Sequence, residues 1–202
     1  MDISKVIVRN EIPEDYEIVE KLTYEAFKDF FIPGRTHVDE HYLVNIMRHV
    51  PGFVKELDLV AEYDGKIIGN IMYTKSYVNS PDGTRHEILT FGPLSVHPDY
   101  QRKGIGQLLM KHSMDRAREM KFRGISILGH PEYYPRAGFK NSGVFGITDK
   151  EGNSPPHMMT IELEDGSLSG ISGIFEEDPV FVMKHDDVIE FNKVFFARHG
   201  DL

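Results

Sequence analysis

Val96-His97-Pro98-Asp99-Tyr100-Gln101-Arg102-Lys103-Gly104-Ile105-Gly106-Gln107-Leu108-Leu109 is the stretch on which the fold turns. The apolar run Ile88-Leu89-Thr90-Phe91-Gly92-Pro93-Leu94-Ser95-Val96 leads into it and reads as a strand. A turn at Pro98 and a short loop with glycines at 104 and 106 follow. A helix then begins, because Ile105, Leu109, Ser113, Ala117 and Met120 fall on one arc at helical spacing. Strand, glycine loop and helix N-terminus together make a seat for a phosphate. The first-turn amides lack intrahelical acceptors, and the macrodipole puts about half a positive charge there. Arg102 and Lys103 add cations beside it.

Two familiar phosphate loops do not fit. No G-x-x-x-x-G-K-[ST] is present, and the third position of a G-x-G-x-x-G is filled by Leu109. The segment resembles the pyrophosphate loop of the GNAT superfamily of acetyl-CoA-dependent N-acyltransferases. That family's pattern, Gln/Arg-x-x-Gly-x-Gly/Ala, is met by Gln101, Gly104 and Gly106, and Val-His-Pro-Asp-Tyr before it is also similar. The resemblance implies that Gln101, Arg102, Lys103, Gly104, Ile105 and Gly106 bind the acetyl-CoA cosubstrate. It implies too that the backbone of Leu94, Ser95 and Val96 pairs with the pantetheine arm and polarises the thioester carbonyl.

Composition narrows the partners. A chain of 202 residues is expected to form one domain with a real core. A net charge of -9 speaks against a general nucleic-acid binder and suits a cationic acceptor, although it serves solubility equally. With no cysteine, disulfides, thiolate zinc sites and a cysteine nucleophile are excluded. The ten histidines show no H-E-x-x-H spacing, so no metal is expected. The first residues, Met1-Asp2-Ile3-Ser4-Lys5, carry no apolar leader, and no run reaches the length of a membrane span. The expected compartment is the cytoplasm, with no membrane partner.

In chain order, Lys5 to Arg9 reads as a short strand. Pro13-Glu14-Asp15 opens a helix whose apolar face is Val19, Leu22, Ala26, Phe27 and Phe30. The chain breaks at 31–35, and a second helix starts at Thr36, where Thr36 and Asp39 fit a capping box. Leu43, Ile46 and Met47 form its stripe, and Pro51-Gly52 stops it. An antiparallel meander follows: a strand over 57–63, a hairpin at Asp64-Gly65, a long strand over 66–78, and a turn at Ser80-Pro81-Asp82-Gly83. Gly92-Pro93 in the next strand predicts a bulge or a splay. Beyond the loop helix, Ile125 to Gly129 reads as a buried strand parallel to the one before the loop. The fold class is therefore α/β (α+β). It has a mixed central sheet, flanking helices and a parallel pair that the resemblance implies is splayed for acyl-CoA.

The resemblance covers roughly residues 5–145 of a single domain over 1–202; residues 146–202 either complete that domain or make an oligomer contact. In this tail Met158 to Leu163 is a strand candidate, Met158 and Met159 read as core filler or pocket lining, and 186–199 as a terminal helix or part of a homodimer contact.

Ligands of such parallel units bind at the carboxyl ends of the strands. There the chain reads His130-Pro131-Glu132-Tyr133-Tyr134-Pro135-Arg136-Ala137-Gly138-Phe139. The family carries Tyr-x-x-x-Gly-Phe at this place, matched by Tyr134 and Gly138-Phe139 but not by Tyr133. Tyr-Tyr-Pro-Arg before Gly-Phe is similar to one predicted-acetyltransferase branch.

Acyl transfer to an amine needs the thioester held, its carbonyl polarised, a neutral amine and a protonated leaving thiolate. An alkyl ammonium of pKa about 10.4 is neutral in about one molecule in a few thousand at pH 7, a deficit of roughly 4–5 kcal/mol. A base, a water chain or a desolvating pocket must cover it. Glu87, on the strand that carries acidic bases in the family, is one candidate, and His130 is the other. Each has a plainer reading, as a solvent-facing glutamate and a loop histidine. The Tyr134 phenol suits the proton donor to the thiolate, against the alternative of a packed aromatic. The expected function is transfer of acetyl from acetyl-CoA to a primary amine of a small molecule or a protein, by direct attack in a ternary complex. The competing reading is a non-catalytic acyl-CoA-binding sensor. No motif marks the acceptor in 30–38, 76–86 or the tail.

Overall fold

The computed structural model describes residues 1–29 and 38–200. Phe30, the break at 31–35 and the Thr36 end of the expected capping box lie outside the described residues. The chain divides into two compact units. One is Met1–Met72 with Gly92–Leu109 and Pro179–Leu202; the other is Tyr73–Phe91 with Met110–Asp178.

The first unit starts with a 3-10 turn, Ile3–Lys5, because Asp2 accepts hydrogen bonds from the Ser4 amide (3.0 Å) and hydroxyl (2.7 Å). That local cap delays the first strand, β1, to Ile7–Asn10, two residues later than periodicity places it. A 3-10 turn at Pro13–Asp15 opens α1 (Tyr16–Phe27), and α2 spans Glu40–Met47. Another 3-10 turn, Lys55–Leu57, moves the start of β2 to Leu59–Tyr63. Asp64 and Gly65 reverse the chain with φ of 52° and 71°, and β3 (Lys66–Asn79) returns antiparallel to β2. Val19, Leu43, Val44, Met47, Val60 and Met72 form the core of this unit. Its last segment is α4 (His185–His199), which docks on the first two helices. The Phe195 ring lies 4.6 Å from His41 and 5.5 Å from Tyr24.

Strand β4 (Arg85–Val96) runs without interruption through Gly92-Pro93, whose peptide is cis, and the unit boundary falls at Phe91-Gly92. The helix predicted after the glycine loop is α3 (Ile105–Glu119), with Ile105, Leu109, Ser113 and Ala117 buried as its arc requires. In the second unit β5 (Gly124–Leu128) pairs parallel to β4 at Leu89↔Ile125, and β8 (Met158–Glu162) pairs antiparallel to β5. Short strands β6 (Lys140–Asn141), β7 (Ile147–Thr148) and β9 (Gly173–Glu176) fill the edges. The sheet order is β1-β2-β3-β4-β5-β8-β6, with β9 on β3 and β7 on β9, so the sheet is mixed as expected. Met158 and Met159 are buried, and Met158 packs with Val78, Ile88 and Phe175 in the core of this unit. The tail thus supplies three strands and a helix. No described helix is long and apolar enough to cross a membrane.

Two buried carboxyl groups in the first unit share one guanidinium, and a third, Asp58, lies buried within reach of its charge. Arg48 donates to both oxygens of Glu11 (2.7 and 2.9 Å) and to Glu20 (3.0 Å), and Asp58 is 4% exposed with one oxygen lacking a partner among the described residues. Burial, then hydrogen bonding with Glu11 and its charge, push the Asp58 carboxyl far above the usual carboxylate range. The folded state therefore keeps a proton that the unfolded chain, with an ordinary pKa of about 3.9, releases. Stability contributed by that proton is full below about pH 4 and declines as pH rises. Asp58→Asn is expected to unfold at higher denaturant than the parent, by a margin that widens from pH 5 to pH 9. A margin that stays constant from pH 5 to pH 9 in urea titrations would show Asp58 ionised in the fold.

Candidate functional site

The glycine loop expected to hold the pyrophosphate lies in the first unit. Gln101 Nε2 donates to the Val96 carbonyl (3.1 Å) and ties the loop back to the end of its own strand. Ser95 is fully buried and its hydroxyl donates to Thr23 Oγ1 (3.1 Å), so this residue serves the strand by anchoring it to α1. Leu94 and Val96 point to the other face and are half-buried. Arg102 holds φ 58° and Gly104 φ 88°, two left-handed positions within three residues. A non-glycine residue there stores strain.

Gly104 immediately precedes α3 and has no side chain with which to cap it. Its carbonyl accepts from Leu108 (3.0 Å), leaving the amides of Ile105, Gly106 and Gln107 at the helix start. The resemblance places Gly104 among the acetyl-CoA-binding residues. The structure adds a packing reason for a glycine: a Cβ at Gly104 would stand 2.9 Å from Ile3 Cδ1 of the first turn. The two neighbouring cations differ. Lys103 Nζ donates to the Asp99 carbonyl (2.6 Å) and lies 5.5 Å from the Tyr100 ring, so it braces the loop. Arg102 is exposed and has no hydrogen bond or ion pair among the described residues.

The second unit holds the candidate proton-transfer groups. Tyr134–Ala137 form a 3-10 turn that ends at Gly138 with φ 95°, and the Gly138 amide donates to Pro135 O and Tyr134 O. That is the physical content of the Tyr-x-x-x-Gly-Phe spacing. One tight turn plus a left-handed glycine sends Phe139 into the core, 2% exposed, with its ring 5.8 Å from that of Tyr134. Burial, with a smaller contribution from Tyr133, pushes the Tyr134 phenol above its ordinary pKa, so it is protonated at neutral pH. Its hydroxyl has no hydrogen-bond partner among the described residues. Tyr133 precedes the turn and meets the Tyr134 ring edge-on at 5.1 Å.

Glu87 is half-exposed on β4 and pairs with Lys75 Nζ at 3.0 Å. His130 stands two residues beyond the end of β5, exposed, and its imidazole has no partner among the described residues. No three His, Asp or Glu side chains among the described residues gather as a metal would require.

Sequence reasoning missed two contributors. Ile3 packs on Gly104, and Gly129 borders the Tyr134 ring. Only Gly129 carried a legible signal, a glycine closing the second parallel strand.

Residues 20–139 match the model of the Acetyltransferase (GNAT) family. The uncharacterized N-acetyltransferase YhbS of Escherichia coli K12 is 26% identical over 172 residues, 85% of this chain and 95% of YhbS. The uncharacterized N-acetyltransferase YjhQ of the same organism is 38% identical over 85 residues, and that match spans 42% of this chain and 46% of YjhQ. The crystal structure of YhbS in complex with CoA superposes with a TM-score of 0.75 at 24% identity, covering 89% of this chain and 93% of YhbS. A GNAT family acetyltransferase from Brucella melitensis in complex with acetyl-CoA gives 0.69 at 24% identity, over 87% and 97%.

Proposed function

The chain belongs to the acetyltransferase (GNAT) family, and on that premise we propose that it moves an acetyl group from acetyl-CoA to a primary amine by direct attack. The observation that carries this reading is the start of α3. It is a helix N-terminus opened by a glycine at φ 88°, with the unpaired Arg102 two residues before it. The CoA and acetyl-CoA bound in the two structural relatives support the same ligand.

Acetyl-CoA supplies the activated acyl group. Arg102 and the amides of Gly104, Ile105 and Gly106 hold its pyrophosphate, while Gln101 and Lys103 keep the loop in shape. The backbone of Leu94, Ser95 and Val96 aligns the pantetheine arm and donates to the thioester oxygen. As the amine nitrogen bonds to the carbonyl carbon and the C–S bond breaks, the Tyr134 hydroxyl gives its proton to the departing sulfur. Between the two candidate bases, His130 fits better. Its ring has no partner among the described residues, whereas the Glu87 carboxylate already balances Lys75.

Saturating acetyl-CoA is expected to raise the melting temperature by roughly 5–10 °C, from about 2.7 kcal/mol of linkage at a hundredfold excess over Kd. NAD and ATP are expected to leave it unchanged, and thiol release is expected with a suitable amine. An equal shift with ATP, or none with acetyl-CoA, would withdraw the assignment of this loop.

A further inference from the structure

Some glycines of tight turns combine a left-handed backbone with open surroundings. Gly152, at φ 83°, has nothing within 4 Å of the place its Cβ would take. Gly129 is the reverse case. It is not among the positive-φ residues, so its backbone is one that other residues adopt. Yet a Cβ there would overlap the edge of the Tyr134 ring, with Cδ2 at 3.0 Å and Cζ at 3.3 Å. A glycine is needed here for the neighbouring ring and not for the chain.

The surroundings decide which party would yield. The Gly129 amide donates to the His157 carbonyl (2.8 Å) just beyond β5, which is paired with β8 at five positions. That backbone is held along its β8 side. The Tyr134 ring is bounded elsewhere by Phe91 at 5.7 Å, Phe139 at 5.8 Å and Tyr133 at 5.1 Å. An added methyl would therefore push the phenol away from β5, carrying the hydroxyl with it.

We propose that Gly129 is a positioning residue for Tyr134. Its bare Cα lets the phenol lie against the end of β5, and this sets where the hydroxyl stands. The inference rests on the reading of Tyr134 as the proton donor. Its consequence is specific, because a displaced donor slows the chemical step without loosening a cofactor held elsewhere.

The test is a double-mutant cycle of Gly129→Ala and Tyr134→Phe, with kcat and the acetyl-CoA KM measured for all four proteins. Gly129→Ala is expected to lower kcat about 10–10²-fold, since a misplacement near 1 Å has that order of cost. KM should stay within about twofold, the range of an interaction used in the transition state alone. In the Tyr134→Phe background, with no hydroxyl left to place, the same substitution should cost less than about threefold. A full-strength, additive loss in that background, or an undiminished kcat in Gly129→Ala, overturns the positioning role. A silent Tyr134→Phe instead overturns the proton-donor reading, and the inference falls with it. Thermal unfolding gives an arm independent of activity. If Gly129→Ala destabilises the protein, the loss should vanish when Tyr134→Ala removes the ring. Persistence of the loss would mean the methyl collides with something other than the phenol.

Discussion

Tyr134→Phe is expected to slow turnover by about 10²–10⁴-fold, the usual worth of a positioned general acid. The loss should appear in kcat with the acetyl-CoA KM nearly unchanged, because the ring still packs against Phe91 and Phe139. Burial holds the phenol above its ordinary pKa, so the acid is in its working form throughout the neutral range. Removing the hydroxyl should therefore scale the pH–rate profile down without shifting its acid limb. The same desolvation makes Tyr134 a weaker acid, but it also raises the free energy of a bare thiolate beside it, and the transfer is driven from that side. Tyr133→Phe is the matched control. It stands outside the turn that ends at Gly138 and is expected to keep at least half the parent rate. Full activity in the Tyr134 variant, or a larger loss at Tyr133, would mean that the thiolate leaves with a proton drawn from water.

The second large effect is expected at Gly104. Gly104→Asp should abolish the acetyl-CoA-induced rise in melting temperature, with affinity falling about 10²–10³-fold, since like charges held together cost several kcal/mol. The Cβ of the new side chain would point at Ile3, so the loss comes from a negative charge at the helix start more than from bulk. Gly104→Ala separates the two causes. Both variants carry the penalty of a left-handed non-glycine residue, about 1–3 kcal/mol, together with the Ile3 contact. Both should melt earlier than the parent, and only the aspartate variant should lose the ligand shift. Equal ligand shifts in the aspartate variant and the parent would remove the loop from the site.

The uneven fates of the sequence expectations have a common cause. The arc of Ile105, Leu109, Ser113 and Ala117, the Asp64-Gly65 hairpin and the Ser80–Gly83 turn were all legible, and all are present. Each depends on contacts within a few residues, which periodicity and turn chemistry encode directly. The displaced starts of β1 and β2 are small local failures, where 3-10 turns at Ile3–Lys5 and Lys55–Leu57 consume residues that looked like strand. Strand β9 was missed for another reason. Its four residues, Gly173–Glu176, carry no alternation strong enough to announce a strand and become one by pairing with Tyr77–Asn79, nearly a hundred positions earlier.

By itself the sequence determined a mixed α/β fold, a glycine loop between a strand and a helix, and a tyrosine one tight turn before a glycine. These follow from spacing along the chain, and spacing is what a sequence contains. Tertiary structure alone decided which charges are spent. Lys103 is turned onto Asp99 and Glu87 onto Lys75, while Arg102 and His130 are left unpaired among the described residues. It also decided that Asp58 is buried beside Glu11 and Arg48, and that Gly129 faces a phenol. A side chain's proton affinity and the room around a Cα are set by atoms brought in from distant parts of the chain. Only the folded packing specifies those neighbours.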